Sequence, residues 1–259
     1  MKLFKNKLLL MSMVLISAFA LIVSCTHKND PLPSSVSTKV VISHGNHVHL
    51  AGLTAGDTSQ WKFDKVHSAV NWSSPFEGVG SALTGKFNQF GLANVKSADM
   101  QNYVTSKQPL PDTSWAFYEN QPEKSHFAGY VQLNQVNTGE PGRDGGCLIG
   151  TFGTTPIVAG TQNLTVSNIA TIKTTKIEFD PLSNNYIATF DFTWQGKLAA
   201  PLTESITAKL TYIPEANAGT HNEFGLHLEF QFNCRDFGIT STSVADVINI
   251  TINANFNNQ

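Results

Sequence analysis

Residues 246–256 read DVINITINANF, and from Ile248 onward apolar and polar side chains alternate without a break. Successive side chains of a β-strand point to opposite faces, so the isoleucines, the alanine and the phenylalanine share one face and the polar residues share the other. Residues 226–233 (LHLEFQFN) repeat the pattern with leucine and phenylalanine. This alternation indicates antiparallel strands that each bury one face.

The same period of two recurs through most of the chain, and useful helical periodicity is confined to its first residues. Two apolar faces must meet in a sandwich or a closed barrel, and about eight strands enclose packed side chains or one small ligand. We therefore predict an all-β fold of antiparallel strands, either a sandwich or a barrel of about eight strands. Further strands are expected near 38–43, 66–73, 81–87, 126–133, 168–179, 186–194 and 206–213, with a short helix after Arg143.

Composition excludes several protein classes. Charged residues make up 14% of the 259 residues, which argues against coiled coils and long solvated helices. The formal net charge of −2, with 17 Lys and Arg, argues against nucleic acid as a partner. Three cysteines are too few for a disulfide scaffold.

The N-terminus has the pattern of an export signal. Lys2, Lys5 and Lys7 precede an apolar run over 8–23, and Ile22-Val23-Ser24-Cys25 resembles a bacterial lipobox. We expect a lipoprotein signal peptide over 1–24, lipidation of Cys25, a flexible tether over 25–37 and one domain over 38–259. The expected location is the bacterial cell envelope, lipid-anchored at the outer membrane, the periplasmic face or the cell surface. An ordinary cleaved signal and an uncleaved anchor are the alternatives.

A long segment near 97–125 interrupts the strand rhythm. It contains three prolines and the aromatic residues Trp115, Phe117 and Tyr118. Loops of this length inside a compact domain are uncommon and are usually functional or disordered. The aromatic residues predict either packing over a barrel mouth or a surface loop with its own small cluster.

Histidines give weak signals for metal binding or catalysis. His44, His47 and His49 form a local cluster that could bind Zn²⁺ or Cu²⁺, but no Cys or acidic residue is spaced to complete the site. Three polar side chains on an exposed edge strand are the favoured explanation. An enzyme would have only His67 and His126 as titratable groups for the cavity, so we predict no catalytic residues, no cofactor and no enzyme activity.

Two Arg-Asp dipeptides and two cysteines leave alternatives open. Arg143-Asp144 and Arg235-Asp236 fit structural ion pairs at a barrel end or a polar clamp for a ligand head group. Cys147 and Cys234 fit a disulfide or two separate buried thiols, because the sequence gives no Cα separation.

Four motifs in order resemble the YceI-like family over roughly residues 61–256. They are Trp61-x-x-Asp64-x-x-His67-Ser68-x-Val70-x-Trp72, Leu83-Thr84-Gly85-Lys86-Phe87-x-x-Phe90, Thr138-Gly139 to Gly142-Arg143-Asp144-x-x-Cys147-Leu148, and Arg235-Asp236-Phe237-Gly238-Ile239. The resemblance implies a lipocalin-like barrel in the periplasm whose apolar tunnel holds a long isoprenoid, sometimes with a quinone head. The segment near 97–125 and the lipidated N-terminus depart from the family pattern.

The resulting hypothesis is a lipid-anchored binding or carrier protein for an apolar amphiphile, an isoprenoid or isoprenoid quinone. A structural or interaction lipoprotein with a barrel filled by its own side chains is the alternative, and metal binding through the histidine cluster is another. The predicted ligand-binding residues are Val70, Trp72, Phe87, Phe127, Phe190, Phe192, Trp194, Leu228, Phe230 and Phe232.

Overall fold

The computed structural model describes residues 61–76, 80–92, 115–119, 121–156 and 165–259, and the backbone of 46–49. The strands are β1 (Asn46–His49), β2 (Lys62–Phe76), β3 (Ser81–Phe87), β4 (Phe90–Gly91), β5 (Trp115–Tyr118), β6 (Ala128–Gln132), β7 (Val136–Asn137), β8 (Ile169–Asp180), β9 (Asn185–Trp194), β10 (Leu202–Asn217), β11 (Asn222–Asn233) and β12 (Val247–Asn257). A π-helical turn (Arg143–Cys147) leads into the short helix α1 (Leu148–Phe152). Single 3-10 turns span Pro122–Lys124, Leu133–Gln135 and Val166–Asn168. No helix within these ranges is long and apolar enough to span a membrane.

Ten of these strands form one antiparallel sheet in the order β4-β6-β8-β9-β10-β11-β12-β2-β3-β7. From β8 to β12 each strand pairs with the next in sequence, so the wall is largely an up-and-down meander. β2 then pairs with β12 and brings the N-terminal strand against the C-terminal one. β1 and β5 form a separate two-stranded sheet.

The two edges of the ten-stranded sheet meet and close it. β4 continues β3, and β7 continues β6, so both edges belong to the same pair of chain segments. Between the short pairings, the Asn88 N–H donates to the Gln135 carbonyl (2.9 Å) and the Gln132 N–H donates to the Gln89 carbonyl (2.8 Å). Counting β3 with β4 and β6 with β7, the wall has eight strands, which confirms the predicted antiparallel barrel.

Most predicted strands are present in the structure. The strands that the sequence did not predict are short ones. The strand predicted over 81–87 is β3 in full, and the 246–256 pattern is β12 shifted by one residue. The short helix after Arg143 is also confirmed. β1 and β5 were not predicted, and four-residue strands carry too little alternation to be recognised. The strand predicted over 38–43 lies outside the described residues.

One end of the barrel, called the helix end, carries α1 and the connection over 234–246. Gly153 ends α1 with a φ of 72°, a conformation that side chains with a Cβ disfavour. A Cβ there would also lie 2.2 Å from the Gly196 carbonyl oxygen, so only glycine fits. The turn sets Phe152 over the opening, edge-on to Trp72 (5.8 Å between ring centroids) and Trp194 (6.4 Å).

Arg235 holds the 234–246 connection together by hydrogen bonds. Its acidic partner is Asp246, so the predicted ion pair with Asp236 is wrong. Its Nε donates to Asp246 Oδ1 at 2.8 Å, while Asp236 is exposed. Its Nη atoms donate to the carbonyls of Ile239, Ser241 and Val244 at 2.8–3.0 Å. The planar guanidinium suits this multidentate role. Arg235 therefore supports the interpretation as a structural residue.

We predict that Arg235→Ala lowers the free energy of unfolding by about 2 to 3 kcal/mol, because several carbonyls lose a charged donor at once. The matched control is Asp236→Asn, which should change it by less than about 0.5 kcal/mol because this carboxylate is exposed. Urea unfolding of both variants measures the difference. Equal effects of the two substitutions would show that Asp236 shares the structural role.

Candidate functional site

The barrel encloses an apolar cavity of about 130 Å³. Its wall consists of the inward faces of the long strands, together with aromatic residues from α1 and β5. The predicted ligand-binding residues that line it are Val70, Trp72, Phe87, Phe127, Phe192, Trp194, Leu228, Phe230 and Phe232. Ligand binding by these residues stays a prediction. Because they line one cavity, substitutions there can test it.

Phe190 is the predicted residue that the cavity lining does not include. It is fully buried and packs edge-on against Phe230, with 4.9 Å between ring centroids, so it supports the wall from within the core. Sequence reasoning missed other lining residues. Those on short or irregular segments, where alternation is not visible, are Phe90, Trp115, Leu133, Phe152, Ile239 and Val244. Others lie within β2, β6 and β12, among them Phe63, Tyr130 and Ile252.

Several inward-facing aliphatic side chains remain partly accessible inside the barrel. Ile172, Ile250 and Ile252 line the cavity and are only half-buried, although they lie in the middle of long strands. A barrel filled by its own side chains would bury them completely. An apolar cavity of about 150 Å³ in another protein stays dry and binds benzene, so this one has room for roughly one apolar ring or a similar chain segment.

The described cavity lining holds no Lys, Arg, Asp or Glu. The lining side chains with ionisable groups are His126, just before β6, Tyr130, within β6, and Cys234, just after β11. Burial raises the pKa of the Cys234 thiol, so it stays protonated, and its Sγ donates to the Ala245 carbonyl at 3.4 Å. Such an interior suits an uncharged apolar molecule, since an unpaired buried charge is costly.

β5 closes the other end of the barrel, and we call Trp115–Glu119 the plug. Trp115 and Phe117 are 2% and 1% exposed. Trp115 packs on Phe256 (4.2 Å between centroids), and Phe117 packs on Tyr186 (5.1 Å). The prediction that these aromatics pack over a barrel mouth is therefore confirmed for Trp115 and Phe117, while residues 97–114 lie outside the described part.

Hydrogen bonds to Glu119 fasten the plug to the barrel wall. The hydroxyl of Tyr212 donates to Glu119 Oε1 at 2.5 Å, and the hydroxyl of Tyr186 donates to the Glu119 carbonyl at 3.0 Å. Burial and the nearby Glu119 charge raise the pKa of Tyr186 to about 12. Burial and the bond to Glu119 also raise the pKa of Tyr212. On its other side the plug pairs with the start of β6 through Ala116 and His126.

The raised pKa of Tyr186 predicts a loss of stability in alkali. Unfolded tyrosine ionises near pH 10, so this contribution is fully present below about pH 10 and is lost as the pH rises towards 12. Tyr186→Phe should flatten the fall in unfolding free energy over that range, whereas Tyr118→Phe, on the half-buried end of β5, should leave it unchanged. Urea titrations at several pH values measure this, and identical slopes in both variants would contradict it.

The motif that begins at Trp61 builds a local distortion of β2. Asp64 Oδ1 accepts from the N–H groups of Val66 (3.1 Å) and His67 (3.2 Å), and Ser68 Oγ donates to the Asp64 carbonyl (2.6 Å). Burial opposes ionisation of Asp64, but its bonds to His67 prevail and lower its pKa; the bond to Asp64 in turn raises the pKa of His67. The His67 side chain is 73% exposed, so it does not enter the cavity as an enzyme hypothesis requires.

Other predicted polar sites lie away from the cavity. The cavity lining does not include Arg143, Asp144, Arg235 or Asp236, and Asp144 instead accepts hydrogen bonds from Thr138. Cys147 is exposed and Cys234 is buried, and both thiols are free, so the possible disulfide does not form.

The histidine cluster and the N-terminal predictions fall on residues that the structure leaves undescribed. His44, Cys25, the signal over 1–24 and the tether over 25–37 lie outside the described residues, as do the side chains of His47 and His49. Among the described side chains, no group of three or more His, Cys, Asp or Glu could hold a metal ion.

The family model of the YceI-like domain matches residues 61–256, from the start of β2 to the end of β12. This chain belongs to the YceI-like family. The match covers the whole closed wall and both motifs around Asp64 and Arg235, and it includes the plug. Among curated proteins, none matches the chain.

Several solved structures resemble this chain at low identity. BcnA of Burkholderia cenocepacia has 16% identity and a TM-score of 0.44, covering 75% of this chain and 99% of that one. The Campylobacter jejuni YceI protein has 16% identity and a TM-score of 0.46, covering 69% and 86%. A polyisoprenoid binding domain from Saccharophagus degradans, implicated in plant cell wall breakdown, has 10% identity and a TM-score of 0.43, covering 76% and 97%.

Proposed function

We propose that this protein binds and carries an apolar amphiphile, an isoprenoid or isoprenoid quinone, inside its barrel while a lipid anchor holds it in the bacterial cell envelope. The observation that carries the proposal is the enclosed cavity, whose described wall is apolar and free of charged side chains. Membership of the YceI-like family supports the choice of an isoprenoid. The proposal includes no catalytic step and no cofactor.

Binding would be driven by removal of apolar surface from water, at about 25 cal/mol per Å² before entropic costs. The cavity of about 130 Å³ takes only part of a long isoprenoid. A longer chain needs the space that Trp115 and Phe117 occupy at the plug end. The proposal therefore assigns the plug a part in ligand entry.

We predict that enlarging a cavity-facing side chain blocks ligand uptake without unfolding the barrel. Ile252→Trp should reduce retention of farnesol at least about tenfold, because Ile252 is half-buried and faces the cavity. The control is Thr251→Val, on the outer groove of the same strand. Native mass spectrometry of the full chain in detergent, before and after incubation with farnesol, measures bound ligand. A wild-type protein that carries and takes up nothing would favour the structural lipoprotein instead.

The lipid anchor rests on the lipobox and has its own test. Cys25→Ser should abolish incorporation of radiolabelled palmitate and release the protein from the membrane fraction. Cys147→Ser is the matched control because that thiol is exposed and would be the competing site of acylation. Continued labelling of the Cys25→Ser variant would contradict the anchor at Cys25.

A further inference from the structure

Two buried hydrogen-bond donors at the helix end have no acceptor within the described part of the chain. They are the indole N–H groups of Trp72 and Trp194, whose side chains are 3% and 4% exposed. Both indoles line the cavity, and both contact the ring of Phe152. Buried tryptophan N–H groups normally find an acceptor, because burying a donor without one is costly.

The surroundings explain why the wall itself supplies no acceptor. The strand opposite Trp72 has Gly85 in register, and a Cβ on Gly85 would lie 2.6 Å from Trp72 Nε1. Gly85 thus makes room for the indole and brings no polar side chain to it. Trp194 stacks on Phe237 at 5.2 Å and meets Phe232 edge-on at 5.9 Å, so its neighbours are also aromatic.

We infer that the helix end of the cavity receives an uncharged hydrogen-bond acceptor, a carbonyl oxygen at one end of the apolar ligand, which accepts from Trp72 or Trp194. This inference rests on the proposed function and specifies the ligand class. Indole N–H groups can only donate, so they recognise an acceptor. A carbonyl oxygen, with two lone pairs, meets this need without bringing a charge.

The same wall disfavours lipids with a phosphate or carboxylate head. No described lining residue at the helix end carries a positive charge, and a buried anion without a partner is strongly disfavoured. His126, the imidazole in the described lining, lies by Ala116 at the plug end. The site therefore selects against anionic isoprenoids and, less strongly, against plain hydrocarbons.

Three probes with the same chain and different ends test the inference. The delipidated full chain in detergent is offered an equimolar mixture of farnesylacetone, farnesyl phosphate and farnesene, and retained probes are quantified by mass spectrometry. We expect farnesylacetone to exceed farnesyl phosphate at least about tenfold and farnesene about fivefold. Retention of the phosphate above the ketone, or equal retention of ketone and hydrocarbon, would overturn the head-group assignment while leaving the carrier function standing.

Variants locate the preference in the two indoles. The double variant Trp72→Phe, Trp194→Phe keeps aromatic rings and removes both N–H groups, so the ketone-to-hydrocarbon ratio should fall to about one. Trp61→Phe, outside the described cavity lining, is the control and should leave that ratio unchanged. An unchanged ratio in the double variant would overturn the inference. If the double variant fails to fold, the wild-type ratios decide, and failure of all three probes to bind would overturn the carrier function itself.

Discussion

The interior of this protein depends on the backbone hydrogen bonds that close the wall between the β3–β4 and β6–β7 segments. Once the wall is closed, side chains along each strand point alternately to the lumen and to solvent. The period-two sequence therefore places apolar side chains inside and polar side chains outside. The lumen receives Phe, Trp, Leu and Ile, while Asn, Thr and Lys face water. An uncharged apolar interior follows directly from closure and alternation. Arg235, with the carbonyls it binds, and α1 then complete the helix end.

The two barrel ends are closed by different physical means. At the helix end, Phe152 and the carbonyl-rich connection around Arg235 form a cover that is continuous with the wall strands. At the plug end, β5 places Trp115 and Phe117 among inward-facing aromatics, with Glu119 bonded to tyrosine hydroxyls of the wall. Aromatic contacts there can be exchanged for contacts with another apolar molecule at little cost in buried area. This difference agrees with the proposal that a ligand enters at the plug end and that its head group is bound at the helix end.

Sequence reasoning succeeded where side chains alternate over many residues and failed where geometry comes from few. The long strands, the closed barrel and nine of the lining residues were predicted, the clearest patterns being 226–233 and 246–256. The acidic partner of Arg235 could not be predicted, because Asp246 lies across a connection and the neighbouring Asp236 satisfies the same local pattern. The plug was recognisable as an aromatic segment, but its seat on Phe256 and Tyr186 depends on tertiary contacts. The unmet N–H of Trp72 likewise becomes visible only when Gly85 is placed opposite it.

The open cavity and the unmet indole donors have one physical consequence in common. A void forfeits dispersion contacts of the side chains around it, and a buried donor without an acceptor forfeits its hydrogen bond to water, so both destabilise the empty barrel. A molecule that fills the void and offers an acceptor at the helix end removes both penalties together. Such a ligand would bind the folded chain and not the unfolded one, so binding would also stabilise the fold. The gain in unfolding free energy would grow with the logarithm of the ligand concentration divided by its Kd. The cavity and the indole N–H groups that destabilise the empty barrel are then the same features that would bind the ligand.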